Sequence, residues 1–275
     1  MLICQLSDLH VCPPGHTVFQ TVDTNAVSER AFKAVAAFDP VPDAIVITGD
    51  LTEDGKDEEY RLFRQLLRRH FAGPVYVIPG NHDDRGRLRE HLSDMLGSIP
   101  DGEYIQYVVE GLPIRLVMLD TLVSGAAHGA LCEERLRFLD EALAAEPRRP
   151  TMIAMHHPPF MSGIEHMDRI RLVNSEAFAA VVARHPHVER IICGHHHRPV
   201  FTRVAGAVAS IGPPIAQPID LDLRPRVNGA LVLEPPAFHV HRWTPDSGFV
   251  THHAYVDSHP GPYSLVDCPS PPGPE

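Results

Sequence analysis

Residues 1–10 read MLICQLSDLH: an apolar run, Leu2–Leu6, that breaks off into Ser7, Asp8 and His10. A strand ending in a carboxylate and an imidazole is informative here because the pattern recurs. Ala44–Thr48 (AIVIT) runs into Gly49-Asp50, and Pro74–Ile78 into Gly80-Asn81-His82-Asp83-Asp84. Thr151–Met155 (TMIAM) runs into His156-His157-Pro158-Pro159, and Arg190–Cys193 into Gly194-His195-His196-His197. Ligands of open α/β sheets bind outside the carboxyl ends of the strands. The five tips are therefore predicted to converge on one spot.

Three further strands are predicted at Ile105–Val109, Ile114–Leu119 and Ala207–Ile211. Helices are predicted over 57–70 (Tyr60, Phe63 and Leu67 recurring at helical spacing), 133–145 (Leu136, Leu139, Leu143) and 174–184. In the last, Asn174 is the N-cap and Phe178, Val181 and Val182 form the buried stripe. Strand–helix alternation predicts a layered α/β domain. From Gly212 the texture changes to proline-rich loops between strand-like segments Ala230–Leu233, Ala237–Trp243 and Phe249–Val256. The expected organisation is a catalytic domain over 1–215 and a strand-rich segment over 216–260. That segment either completes the second sheet or forms a dimerisation appendage, and a loose tail follows over 261–275.

Composition removes several function classes. The 275 residues carry 24 Lys plus Arg against 35 Asp plus Glu, a formal charge of −11, which does not suit the phosphate backbone of a nucleic-acid polymer. The apolar runs fall far short of the roughly 18 residues of a membrane span. Five scattered cysteines (Cys4, Cys12, Cys132, Cys193, Cys268) without C-x-x-C, and a start lacking a signal sequence, predict a reduced, cytoplasmic protein. Nineteen histidines exceed the eleven phenylalanines, and the usual work of histidine is metal ligation and proton transfer.

The candidate ligands are Asp8, His10, Asp50, Asn81, His156, His195 and His197. Seven nitrogen and oxygen donors are too many for one tetrahedral ion and suit two ions sharing a carboxylate. Imidazoles mixed with carboxylates favour Mn, Fe, Zn or Co. Asp8 and His10 are two apart, as are His195 and His197, so extended backbone would project each pair to one face. Glycines precede Asp50, Asn81 and His195, where backbone must approach the site closely.

The ordered blocks D-x-H, GD, GNHD, HHPP and GH-x-H resemble the calcineurin-like metallophosphoesterase superfamily. SDLH, PGNHDD, MHHPP and CGHHHRP are similar to bacterial class III cyclic-nucleotide phosphodiesterases and related glycerophosphodiesterases, over residues 1–215. The resemblance implies a four-layer α/β/β/α sandwich with a small C-terminal β-rich extension. It implies two transition-metal ions, one held by Asp8, His10 and His197, the other by Asn81, His156 and His195, with Asp50 bridging. It selects His156 over His157 as the ligand and places His82 beside the metals as a proton donor, with Asp83 or Asp84 orienting it. His82 and Asp50 are accordingly the catalytic candidates.

The implied activity is hydrolysis of small phosphodiesters by metal-bound hydroxide, with 3′,5′-cyclic AMP-type nucleotides or glycerophosphodiesters as substrates. The alternatives are a phosphomonoesterase of the same superfamily or a non-catalytic metal-binding regulator. Glu53 stands where purple acid phosphatases carry tyrosine, and GDLTEDG departs from the GDxxDRG of protein phosphatases. Phe19 and His196 are the candidate substrate contacts, the acidic run 53–59 is read as a solvated turn, and His239 and His241 are read as a solvated or interface face. The terminal strands predict a homodimer or higher homo-oligomer.

Overall fold

A computed structural model describes residues 1–99, 102–226 and 228–264. Two sheets lie face to face between helices. The first has the order β11-β10-β1-β2-β3, built from β1 (Leu2–Leu6), β2 (Ala44–Ile47), β3 (Val75–Val77), β10 (Ala237–Thr244) and β11 (Gly248–Tyr255). The second has the order β4-β5-β6-β7-β9-β8, built from β4 (Tyr107–Val109), β5 (Arg115–Leu119), β6 (Thr151–Met155), β7 (Val188–Cys193), β8 (Val200–Val204) and β9 (Ala207–Ile211). Helices α1 (Thr24–Ala36), α2 (Asp57–His70) and α3 (Arg85–Leu92) follow the strands of the first sheet. Helices α4 (Glu133–Ala145), α5 (Glu165–Asp168) and α6 (Ser175–Val182) belong to the second half. This is the expected four-layer α/β/β/α arrangement.

Local chemistry accounts for the helices. Helix α2 carries Asp57, Glu58 and Glu59 in its first turn and Arg68, Arg69 and His70 in its last, matching both ends of the helix dipole. Its buried Phe63 meets Phe32 of α1 edge-to-face, with ring centroids 6.0 Å apart. Helices α1 and α3 were not anticipated. The buried stripe of α1 includes Thr24 and Ser28, and α3 buries Arg85 beside Leu88 and Leu92, so neither shows a clear apolar period. Both are started by side-chain caps: Asp23 accepts from the amide of Ala26 and Asp84 from that of Arg87, each at 2.9 Å.

The central strands β1, β2 and β3 run parallel, as do β5, β6, β7 and β9, so their carboxyl ends share one rim. The C-terminal hairpin β10–β11 extends the first sheet rather than completing the second, with β10 antiparallel to β1. Ala230–Leu233 is a loop rather than a strand, tied by a single bridge between Leu231 and Ile219. The unanticipated β8 is an exposed edge strand. Of the expected tail, residues 265–275 lie outside the described residues.

His239 and His241 are not solvated. Alternation along β10 and its pairing with Ile3 and Gln5 turn both rings into the space between the sheets, where each is 0% exposed. The Gln5 amide donates to the Cys193 carbonyl at 2.9 Å and to Thr48 Oγ1 at 3.1 Å, which fixes its Oε1 toward His241 Nε2, 3.1 Å away. His241 therefore carries its proton on Nε2, and Nδ1 accepts from Thr251 Oγ1 at 2.9 Å. Burial holds this imidazole well below its ordinary pKa, with His239 and Arg190 adding to the shift. A depressed histidine binds a proton in the unfolded chain before it does in the folded one. Stability is thus retained above about pH 6.5 and lost as pH falls below it, by about 1.4 kcal/mol per pH unit for one such group. Urea titrations between pH 7 and 5 should show the His241→Leu variant losing less stability on acidification than the wild type, whatever its stability at pH 7.

Candidate metal centre

All seven predicted ligands meet at the shared rim, and most of them arrive there through strained backbone. Asp8, His10, Asp50, His195 and His197 have φ of 55, 49, 49, 73 and 49°. Non-glycine residues occupy this left-handed region rarely and at a cost of about 1–3 kcal/mol each. The pairs Asp8/His10 and His195/His197 do converge, but through these sharp reversals and not by alternation along extended strands. Glycine supplies the clearance: a Cβ on Gly80 would sit 2.1 Å from Asp50 Oδ1, and one on Gly194 would sit 2.0 Å from Ser7 Oγ.

Each imidazole is anchored on its outer side. His10 Nδ1 lies 2.8 Å from Glu53 Oε2, His156 Nδ1 2.7 Å from the Thr48 carbonyl and His197 Nδ1 2.8 Å from the Gln217 carbonyl. His195 is turned the other way, with Nε2 3.0 Å from the Ile170 carbonyl. Carbonyls and carboxylates only accept, so the outer nitrogens carry the protons and the inner ones present lone pairs. His10 Nε2 and His197 Nε2 face each other at 3.2 Å. Two inward nitrogens that close require a proton or a cation between them.

The oxygens complete the set. Asp50 Oδ2 lies 3.3 Å from His156 Nε2 and 3.7 Å from His10 Nε2, between the two halves of the cluster. Asp8 Oδ1 is 3.5 Å from His197 Nε2, and Asn81 Oδ1 is 3.1 Å from His156 Nε2. Asp8, His10, Asp50 and His197 bring one ligand atom each within 4.8 Å of one another. His156, His157 and His195 do the same, yet His157 has no lone pair to offer: Nδ1 is 2.8 Å from Thr121 Oγ1 and Nε2 is 3.2 Å from the Ala127 carbonyl. It props the site from beneath. This donor set, with its inward lone pairs, fits a pair of cations.

Electrostatics favour positive charge at the inner nitrogens, as an added proton or as a metal cation. Burial alone would raise Asp50, but His156, His82 and His10 hold it well below the usual carboxylate range, so its charge persists. Burial would lower His156 and His10, but Asp50 carries His156 up to about 9, and Glu53 and Asp50 carry His10 above its ordinary value. In His195 and His197 burial prevails and the pKa falls.

Several positioning groups were not legible in the sequence. Neither Asp83 nor Asp84 orients His82, whose Nδ1 bonds the Glu53 carbonyl at 2.7 Å while its amide donates to Asp50 Oδ1 at 2.9 Å. Asp83 instead clamps two site loops together, accepting from the amides of Gly80 and Leu51 at 2.9 and 3.2 Å. The acidic run 53–59 is not simply solvated: Glu53 holds His10, and Glu59 is buried, accepting from the amides of Asp54 and Lys56. His196 is fully buried behind His195, with ring centroids 5.5 Å apart, rather than on a wall facing substrate. Phe19 stands 70% exposed at the tip of the turn between Val18 and Val22.

A two-sheet sandwich with carboxylate-linked imidazole clusters on its strand ends defines a metal-dependent phosphoester hydrolase. The calcineurin-like phosphoesterase profile matches residues 1–199, and the chain belongs to that family. It is 33% identical over 268 residues to a probable glycerophosphodiester phosphodiesterase, GpdQ, of Arcobacter nitrofigilis, covering 97% of each chain. It is 32% identical over 196 residues to the 3′,5′-cyclic adenosine monophosphate phosphodiesterase CpdA of Escherichia coli K12, covering 71% of this chain and 69% of that one. Among solved structures, a dimetal phosphatase from Danio rerio shares the fold, with a TM-score of 0.64 at 16% identity, over 94% of this chain and 99% of that one.

Glu53 gives this geometry a direct check. Replacing a group that orients a metal-bound imidazole typically costs 10–100-fold in metal affinity. Glu53→Ala should weaken Mn(II) binding by about that factor in a calorimetric titration, with the far-UV spectrum unchanged.

Proposed function

We propose that this chain hydrolyses small phosphodiesters at two transition-metal ions, with glycerophosphodiesters as the preferred substrates. Asp8, His10 and His197 would hold one ion, Asn81, His156 and His195 the other, and Asp50 would bridge them. Asp50 Oδ2 lying between His10 and His156 is the observation that carries this reading. Ions bound there would supply Lewis acidity and offset the charge that builds on the phosphoryl oxygens during displacement. Mn, Fe, Zn and Co all accept these donors.

The protein's own groups do the rest. Asp50 keeps its charge and ties down the backbone of His82 through Oδ1. With Nδ1 committed to the Glu53 carbonyl, His82 presents Nε2 to the site. In its cationic form that nitrogen can deliver a proton to a departing alkoxide oxygen.

The substrate preference is supported by extent. Similarity to the glycerophosphodiester relative runs through the C-terminal third, including the segment whose Gln217 carbonyl holds His197. Similarity to the cyclic AMP relative covers 71% of the chain. Cyclic nucleotides remain the second reading because the exposed ring of Phe19 could stack on a base. No helix among the described residues is long and apolar enough to cross a membrane. The free thiols of Cys4, Cys12, Cys132 and Cys193 support a reducing, cytoplasmic location. Exposed Leu221, Leu223 and Leu233 support a homo-oligomer, measurable by light scattering.

The decisive experiment is a substrate panel on the Mn(II)-loaded protein: glycerophosphoethanolamine, 3′,5′-cyclic AMP, 2′,3′-cyclic AMP and a phosphomonoester. The expected order places the glycerophosphodiester first. Preference for the monoester, or metal binding without any turnover, rejects the assignment. Asp50→Ala should abolish turnover in a protein that stays folded. His82→Ala should lower kcat on alkyl diesters by about 10²–10⁴-fold. On bis(p-nitrophenyl) phosphate, whose leaving group needs no proton, the loss should be much smaller.

A further inference from the structure

The space between the sheets divides into two chemically distinct halves. Where β2 faces β5 and β6 the filling is apolar, with Val46, Met118, Met152 and Ala154 all buried. Where the hairpin β10–β11 faces β7, β8 and β9 it is polar: Gln5, His239, His241 and Thr251 from one sheet, Arg190 and Ser210 from the other. Alternation puts Arg190 on the same face of β7 as Ile192, and Ile192 pairs with Ser210. Ser210 also pairs with Phe201, whose ring centroid lies 5.3 Å from that of His239. Arg190 is close enough to both His239 and His241 to depress their basicity.

Gln5, His241 and Thr251 satisfy one another, but the remaining groups do not. Arg190 is 6% exposed and donates from one terminal nitrogen to Thr251 Oγ1, yet it makes no ion pair with any described carboxylate, and its Nε has no partner. Both ring nitrogens of His239 and the hydroxyl of Ser210, each 0% exposed, also lack partners among the described residues. Buried polar atoms are almost always bonded, and a cluster of exceptions points to an ion or ordered water. A guanidinium stays charged at any physiological pH, and a buried charge needs a counter-charge. Water could meet the donors but would leave that charge unbalanced, and a metal cation would be repelled by it. The imidazole N–H, the serine O–H and the arginine Nε–H, all unpartnered on facing strands, are the kinds of donor that a small anion takes.

We propose that Arg190, His239 and Ser210 form an inter-sheet binding site for a small inorganic anion of the halide type. The site is separate from the phosphoester centre, and its existence does not depend on the activity assigned there. It is linked to that centre by one chain of bonds: Arg190 to Thr251, Thr251 to His241, His241 to Gln5 and Gln5 to Thr48 Oγ1. The carbonyl of Thr48 is the group that holds His156. A bound anion therefore braces the hairpin against β7 and, through Thr48, the strand end that carries a metal-facing imidazole.

The test is thermal unfolding of the metal-loaded full chain in chloride, bromide or gluconate at one ionic strength of about 0.2 M. Chloride and bromide should each raise Tm by about 3 °C over gluconate. In Arg190→Met and His239→Phe that difference should fall below about 1 °C, whatever the Tm of each variant. Crystals grown in bromide should show an anomalous peak within hydrogen-bond reach of Arg190 Nε. Equal Tm in all three salts, or a halide effect that survives in both variants, overturns the proposal. Should neither variant fold, the wild-type crystal decides: a bromide peak at Arg190 supports the site, and its absence there overturns it.

Discussion

The arrangement on which the molecule depends is a set of inward lone pairs held in place from outside. Four imidazoles would not keep two of their nitrogens 3.2 Å apart of their own accord. They are fixed there because Glu53, Thr48, Gln217 and Ile170 each occupy the outer nitrogen with an oxygen that only accepts. The same constraint accounts for the left-handed backbone at Asp8, His10, Asp50, His195 and His197. Strands that simply ran off the sheet would spread these side chains apart. The strain is supported by the parallel ladders behind the site and by the cations that such a cluster is built to hold.

Rigidity of the scaffold is therefore part of the chemistry. Two packed sheets place five strand ends within reach of one another, and the loops between them are cross-tied. Asp83 joins the Asp50 and Asn81 loops, and Gln5 joins β1 to β7. Sites on strand ends are more exactly placed than sites on free loops. The C-terminal hairpin contributes to this frame, because β10 is the neighbour of β1 and its His241 carries the hydrogen-bond chain that begins at Thr48 on to Thr251 and Arg190.

Much of this was legible because it is local. An apolar run followed at once by aspartate, asparagine or histidine identifies a strand end at β1, β2, β3, β6 and β7, and the helical periods of α2, α4 and α6 are plain. Helices α1 and α3 were not, since their buried faces carry too few large apolar residues to show a period. Glu53 was visible only as a residue that is not tyrosine and as the start of an acidic run. Its role depends on a turn that brings it back to His10, forty-three positions away.

By itself the sequence determined the layered α/β class, the seven polar residues that gather at the strand ends and the chemistry that imidazoles and carboxylates share, because each is written in a few adjacent positions. Only the tertiary structure decided which nitrogen of each histidine faces inward, which acceptor holds it there, and that His239 and His241 lie between the sheets rather than in water. Tautomer and burial are set by atoms that approach from strands and loops remote in the chain. No spacing within one segment encodes them.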